Sequence, residues 1–191
     1  MSASNGPGVL VDSFALVSYL PNPLASFLDE IRHDFAPDSR ARAHVTVLPP
    51  RPLKPSPDPA SVDAAWEQIR NRLQDVSPFR VELGEIEVFE ETQAIYIAVL
   101  TGHEELKRLH DLLNVGGTSY QEPYPYHPHV TVVQELPPQD VYAAAQFARW
   151  RWSEFQHARD FVVDQLTFVR NTLENDWVDL GAFDLTSRVA G

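Results

Sequence analysis

Two short segments of this sequence place the same residue types at the same spacing, His44-Val45-Thr46 and His129-Val130-Thr131. Imidazole titrates at roughly pH 6.5 when unperturbed, so of two such rings in one site one can hold a proton while the other lacks it. That supplies an acid and a base without a carboxylate, a thiol or a metal. At a phosphodiester, the neutral ring would draw a proton from an attacking water or ribose hydroxyl, and the protonated ring would deliver one to the departing oxygen. A threonine two residues after each histidine shares its strand face, and hydroxyl donors aimed at the non-bridging phosphate oxygens would stabilise the anionic transition state.

One His-x-Thr in a strand is ordinary; two at matching places in a repeated order of elements are not. Residues 43–48, AHVTVL, alternate so that His44, Thr46 and Leu48 share one face and Val45 and Val47 the other. Ahead of them, residues 13–20 read as a strand closed by Pro21 and Pro23. Leu24, Phe27, Leu28 and Ile31 then fall at helical spacing. The proline-rich stretch 49–59 reads as a surface loop, followed by a helix over 61–76 and a strand over 79–89 bent at Gly84. The order then repeats: a strand over 94–100, a helix over 104–115, the second histidine strand at 129–133, a helix over 141–153 and a strand over 161–170. One more strand, 177–185, ends the series. His129 lies 85 residues after His44 and Phe161 lies 82 after Phe79, which implies an internal duplication, roughly residues 9–90 and 91–186. That period is too long for a solenoid, so the expectation is one domain spanning residues 1–191, built as two lobes related by a pseudo-twofold axis. Both histidine strands would face a shared cleft.

Composition narrows the partners. The chain has 15 Lys and Arg against 27 Asp and Glu, a formal net charge of −12, which excludes a protein that works mainly by gripping long nucleic acid. Arg40, Arg42, Arg51 and Lys54 form the densest basic cluster and flank His44, and they read either as a local patch for a short anionic ligand or as ordinary loop solvation. No cysteine is present and no apolar run nears the roughly 18 residues that span a bilayer. Residues 1–8 are polar and read as a floppy tail without the features of a secretory signal. A cytoplasmic monomer with no membrane contact is expected, because the duplication already builds the cleft within one chain.

These residues bring in a family. HVTVLP at residues 44–49 and HVTVVQ at residues 129–134 resemble the paired His-x-Thr/Ser-x-hydrophobic signature of the two-histidine (2H) phosphoesterase superfamily. The similarity covers nearly the whole chain, including the lead-in Tyr126-His127-Pro128-His129, and looks most like the bacterial 2′-5′ RNA ligase and cyclic phosphodiesterase branch. The resemblance implies an α+β fold of two antiparallel-sheet lobes packed with helices around a central cleft. It also implies a metal-independent enzyme that opens 2′,3′-cyclic phosphates or makes and breaks 2′-5′ linkages. By motif, His44 and His129 take the catalytic positions and Thr46 and Thr131 the phosphate-binding ones, with no cofactor and no metal. The implied substrate is an RNA end, a nucleotide or a small cyclic phosphate. Tyr126 and Arg170, outside the signature, are expected substrate contacts. Pro49 stands where the second half has Gln134, so the halves divide the acid and base roles, and the assignment of each histidine stays open.

Competing readings are a zinc site at His127-Pro128-His129, a non-catalytic RNA- or nucleotide-binding module, and a phosphodiesterase for a small non-RNA cyclic phosphate. No cysteine and no nearby carboxylate completes a zinc ligand set, and both histidines and both threonines are retained, which favours the enzyme. His33, His103, His110 and His157 read as solvated. Phe89, Tyr96, Tyr124 and Phe168 are candidates for base stacking, and Trp66, Trp150 and Trp152 for helix-to-sheet packing.

Overall fold

A computed structural model describes residues 12–37, 41–54, 59–172 and 176–186. The expected tail at 1–8 and Arg40 lie outside these. In chain order the elements are β1 (Ser13–Tyr19), α1 (Leu24–Phe35), β2 (His44–Arg51), α2 (Pro59–Leu73), β3 (Phe79–Val88), β4 (Ile95–Thr101) and α3 (His103–Leu113). A 3-10 turn at Gly116–Thr118 follows, then β5 (His129–Val133), α4 (Pro138–Ser153), β6 (Asp160–Val163), β7 (Gln165–Asn171) and β8 (Trp177–Asp184). They form two four-stranded antiparallel sheets with strand orders β2-β1-β7-β8 and β5-β4-β3-β6, the α+β architecture expected. A single apolar cluster runs from Leu16 and Val45 of the first sheet to Ile97 and Val130 of the second.

The sheets do not follow the division of the sequence at residue 90. β3, from the first half, lies in the second sheet, while β7 and β8, from the second half, lie in the first. The stretch read as one strand over 161–170 accordingly breaks at Asp164. β6 pairs with β3 and β7 with β1, in different sheets. The cause is local: Asp164 and Gln165 are both exposed between the buried Val163 and Leu166, so the alternation changes phase where the chain passes from one sheet to the other.

β2 also departs from expectation, running through Pro49 and Pro50 to Arg51 instead of yielding to a loop at 49. β2 is an edge strand, and proline is tolerated there because the outward side needs no ladder donor. Between Leu16↔Leu48 and Val17↔Thr46 the register shifts, so two steps on β2 match one on β1. The bulge turns Leu48 away from the face of His44 and Thr46 and into the core with Val45 and Val47. The same shift recurs on β5, between Ile95↔Val133 and Tyr96↔Thr131. A further bulge spans Gly84 as expected, where Trp152 Nε1 donates to the Gly84 carbonyl at 2.9 Å.

Candidate active site

The two motif strands are the first strands of their sheets, and they pack against each other at the junction of the lobes. Each histidine is anchored in the same way. His44 Nδ1–H donates to the carbonyl of Arg42 at 2.6 Å, and His129 Nδ1–H donates to that of His127 at 2.7 Å. A carbonyl only accepts, so Nδ1 carries the hydrogen on both rings and Nε2 is the working nitrogen. His44, Thr46, His129 and Thr131 are all half-buried.

Burial is the main influence on both rings. It pushes His44 down to about 4 against the opposing Arg42 carbonyl, and the charges of Arg32 and His129 depress it further. His129 is lowered by burial, opposed by the His127 carbonyl and reinforced by the His127 ring. The charge of His129 is the smallest of the influences on His44. Burial and neighbouring charge both favour the neutral ring in the unliganded protein.

The walls beside the motifs differ between lobes. Across β1 from the first motif, Tyr19 lies opposite His44 and Val17 opposite Thr46. Ala15, Val17 and Val169 form a small apolar cluster with Tyr19 and Trp177, apart from the main core. Tyr19 donates to Asp179 at 2.5 Å, and the Arg42 guanidinium lies 3.6 Å from the Tyr19 ring centroid while pairing with Asp179 at 3.3 Å. Beside the second motif, Phe89 and Tyr96 stack with centroids 3.9 Å apart, and the Phe89 ring meets His129 edge-on at 5.0 Å. The Tyr96 hydroxyl donates to Glu87 at 2.7 Å and is pushed up to about 12 by burial and by that carboxylate.

Other expected residues fall elsewhere. Arg170 pairs opposite Phe14, five residues along β1 from Tyr19, or about 16 Å at a rise of roughly 3.3 Å per residue, and its guanidinium engages Asp12 at 2.5 Å. It is thus at the far end of the sheet from His44. Tyr126 is near the motifs, but its hydroxyl donates to the Thr46 carbonyl at 2.6 Å, so its one proton is committed to the protein. Arg51 is not part of an exposed basic patch: it is 1% exposed and pairs with Glu122, Asn114 and the Thr118 and Pro49 carbonyls. Only this dense set of acceptors makes burial of a guanidinium tolerable. Phe168 belongs to the core, and Tyr124 is exposed. Trp66 and Trp152 pack as expected, whereas Trp150 is 58% exposed. His33 and His157 are exposed, but His110 is buried and stacks on Tyr126, with ring centroids 4.2 Å apart and planes within 6°. Among the described residues no group of three or more His, Asp or Glu is arranged to hold a metal ion.

Sequence reasoning missed Arg32, which donates to the carbonyls of Ala41 at 2.5 Å and Thr131 at 2.9 Å. A signal existed. Arg32 continues the buried stripe Leu24, Leu28 on α1, and His110 stands in the same relation to Leu106 on α3. A polar residue on an apolar stripe needs a partner, and Arg32 finds its partners at the second motif while His110 finds Glu122.

Two edge strands bearing His-x-Thr at the junction of two antiparallel sheets define a two-histidine phosphoesterase fold. The chain belongs to the 2′-5′ RNA ligase superfamily, whose family model matches residues 20–175. It is 19% identical to "Putative phosphoesterase BH1439" of Halalkalibacterium halodurans over 176 residues, 91% of this chain and 97% of that protein. Among solved structures it resembles apo E. coli LigT, with a TM-score of 0.61 at 13% identity, covering 92% of this chain and 98% of that one. TT0787 of Thermus thermophilus is similar, with a TM-score of 0.60 at 15% identity over 92% and 99%. These likenesses share the fold. Among the described residues no helix is long and apolar enough to cross a membrane.

Proposed function

We propose that this chain is a metal-independent phosphoesterase that hydrolyses a 2′,3′-cyclic phosphate or makes and breaks 2′-5′ linkages in RNA ends or nucleotides, with His44 and His129 as its acid and base. We take residues 9–90 and 91–186 as duplicated halves of one two-lobed domain. The observation that carries the reading is the matched anchoring of the two rings. Each gives its Nδ1 hydrogen to the carbonyl two residues before it, which leaves two Nε2 atoms on neighbouring strands for proton transfer. Family membership and the structures of E. coli LigT with 3′-AMP and with phosphate support a nucleotide-type substrate.

In hydrolysis a water oxygen attacks phosphorus, one Nε2 removes its proton, and the other ring's Nε2–H protonates the ribose oxygen as its bond to phosphorus breaks. The product is a phosphate monoester beside a free hydroxyl. Thr46 and Thr131 donate to the non-bridging oxygens. Both rings start neutral, so the acid must acquire its proton with the substrate. A phosphate anion beside the ring favours imidazolium and opposes the burial that depressed it.

The test is turnover of 2′,3′-cyclic nucleotides and of a short RNA ending in a cyclic phosphate, in EDTA. His44→Ala and His129→Ala should each lower the rate by roughly 100-fold or more, and the threonine variants by less. Full activity in either histidine variant, or activity lost to EDTA and restored by zinc, would overturn the reading.

A further inference from the structure

The two motifs are held by each other's halves of the chain. An edge strand presents backbone groups that its own sheet does not pair, so something else must fix them. At the first motif, the Thr46 carbonyl receives the Tyr126 hydroxyl at 2.6 Å. At the second, the Thr131 carbonyl receives Arg32 Nη2 at 2.9 Å, and Arg32 Nε reaches the next carbonyl, Val132, at 3.4 Å. Through Nη1 the same guanidinium grips the carbonyl of Ala41 at 2.5 Å.

The register of these contacts follows the duplication. Ala41 lies three residues before His44 and Tyr126 three before His129, so they are equivalent positions. Arg32 on α1 and His110 on α3 each lie four residues after a buried leucine. Both halves therefore connect the position three before one histidine to the threonine carbonyl of the other motif, with the sizes exchanged. One half uses a long helix residue, Arg32, over a small lead-in, Ala41. The other uses a long lead-in residue, Tyr126, braced by the ring of His110. His110 is itself held by Glu122, which pairs with the buried Arg51.

Resting on the function proposed above, we infer that Tyr126 and Arg32 are reciprocal positioning residues, each setting the placement of the opposite half's His-x-Thr motif through its threonine carbonyl. Neither touches the reacting atoms. Their effect is geometric: a misplacement of the reacting groups by a fraction of an ångström to 1 Å is enough to cost one to two orders of magnitude in rate.

Tyr126→Phe removes one hydroxyl and keeps the stack on His110. It is expected to lower kcat about 10-fold with KM changed less than about 2-fold, the signature of an interaction that matters in the transition state. Thr46→Ala keeps the carbonyl that Tyr126 holds but removes the hydroxyl placed by it, so the penalty should shrink in that background to the part carried by His44 and persist in full in a Thr131→Ala background. Arg32→Lys keeps the charge but gives up the planar fork that reaches the Ala41 and Thr131 carbonyls together, and should show the mirror pattern, with a penalty that shrinks in Thr131→Ala and persists in full in Thr46→Ala. Imidazole ¹⁵N NMR gives a readout that needs no substrate: Tyr126→Phe should move the His44 resonances and leave those of His129 in place. Additive penalties in both threonine backgrounds, or unmoved His44 resonances with kcat intact, overturn the inference. If the wild type turns over none of the substrates, the proposed function fails, and the NMR comparison still decides the positioning role.

Discussion

Replacing His44 with asparagine removes a ring that the folded chain keeps neutral while leaving an amide hydrogen in reach of the Arg42 carbonyl. In the unfolded chain this imidazole titrates at roughly 6.5, and in the fold burial pushes it down to about 4. Above pH 7 neither state binds the proton and the ring contributes no pH dependence. As pH falls through 6.5 the unfolded chain takes up a proton that the native chain refuses, so stability falls, and the loss ends below about 4, where the native ring is protonated too. The difference of about 2.5 pKa units corresponds to about 3 kcal/mol. Urea unfolding of wild type and His44→Asn at pH 7, 6, 5 and 4 isolates this ring, because the other titrating groups are common to both proteins. Wild type should lose about 3 kcal/mol more than the variant over that range, roughly 1.5 M in midpoint for an m-value of about 2 kcal/mol/M. Parallel stability curves for the two proteins would show that His44 is not held neutral, and the account of how the acid gains its proton would fall with it.

Three further outcomes follow from the same structure. Inorganic phosphate should bind with uptake of a proton near pH 7, seen by calorimetry in buffers of differing ionisation enthalpy, because the anion favours imidazolium in a ring that burial has kept neutral. Arg51→Met should cost about 3 kcal/mol in chemical unfolding by leaving the buried Glu122 with only the His110 ring as its partner, whereas Arg42→Met, losing an exposed pair, should cost under about 1 kcal/mol. Gly181→Ala should destabilise by about 1–3 kcal/mol, since a Cβ there would lie 1.8 Å from the Trp66 ring, and Trp66→Leu in the same chain should recover part of the loss.

The paired His-x-Thr segments are legible in the sequence because strand alternation is a local rule: two residues apart means the same face, whatever the rest of the chain does. The four helices are legible for a similar reason, their apolar stripes recurring at helical spacing. Even the bulge at Gly84 shows as a lone glycine in a strand. Leu48 marks the limit of the rule, since a bulge in β2 reverses its face and a bulge is set by the partner strand.

What lay beyond the sequence depends on partners far apart in the chain. Arg51 reads as a surface cation until Glu122 and Asn114 are brought to it across more than sixty residues. Tyr126 and Arg32 reach carbonyls 80 and 99 residues away, and a backbone carbonyl has no residue type by which a sequence could announce it. The place of β7 in the first sheet is likewise set by pairing with β1, a strand from the opposite end of the chain. Residue types and their local periods fixed what chemistry the two rings can do. Tertiary packing decided that burial lowers both rings, and which side chains bind the carbonyls of the two motif strands, because burial and hydrogen-bond partnership exist only once distant segments meet.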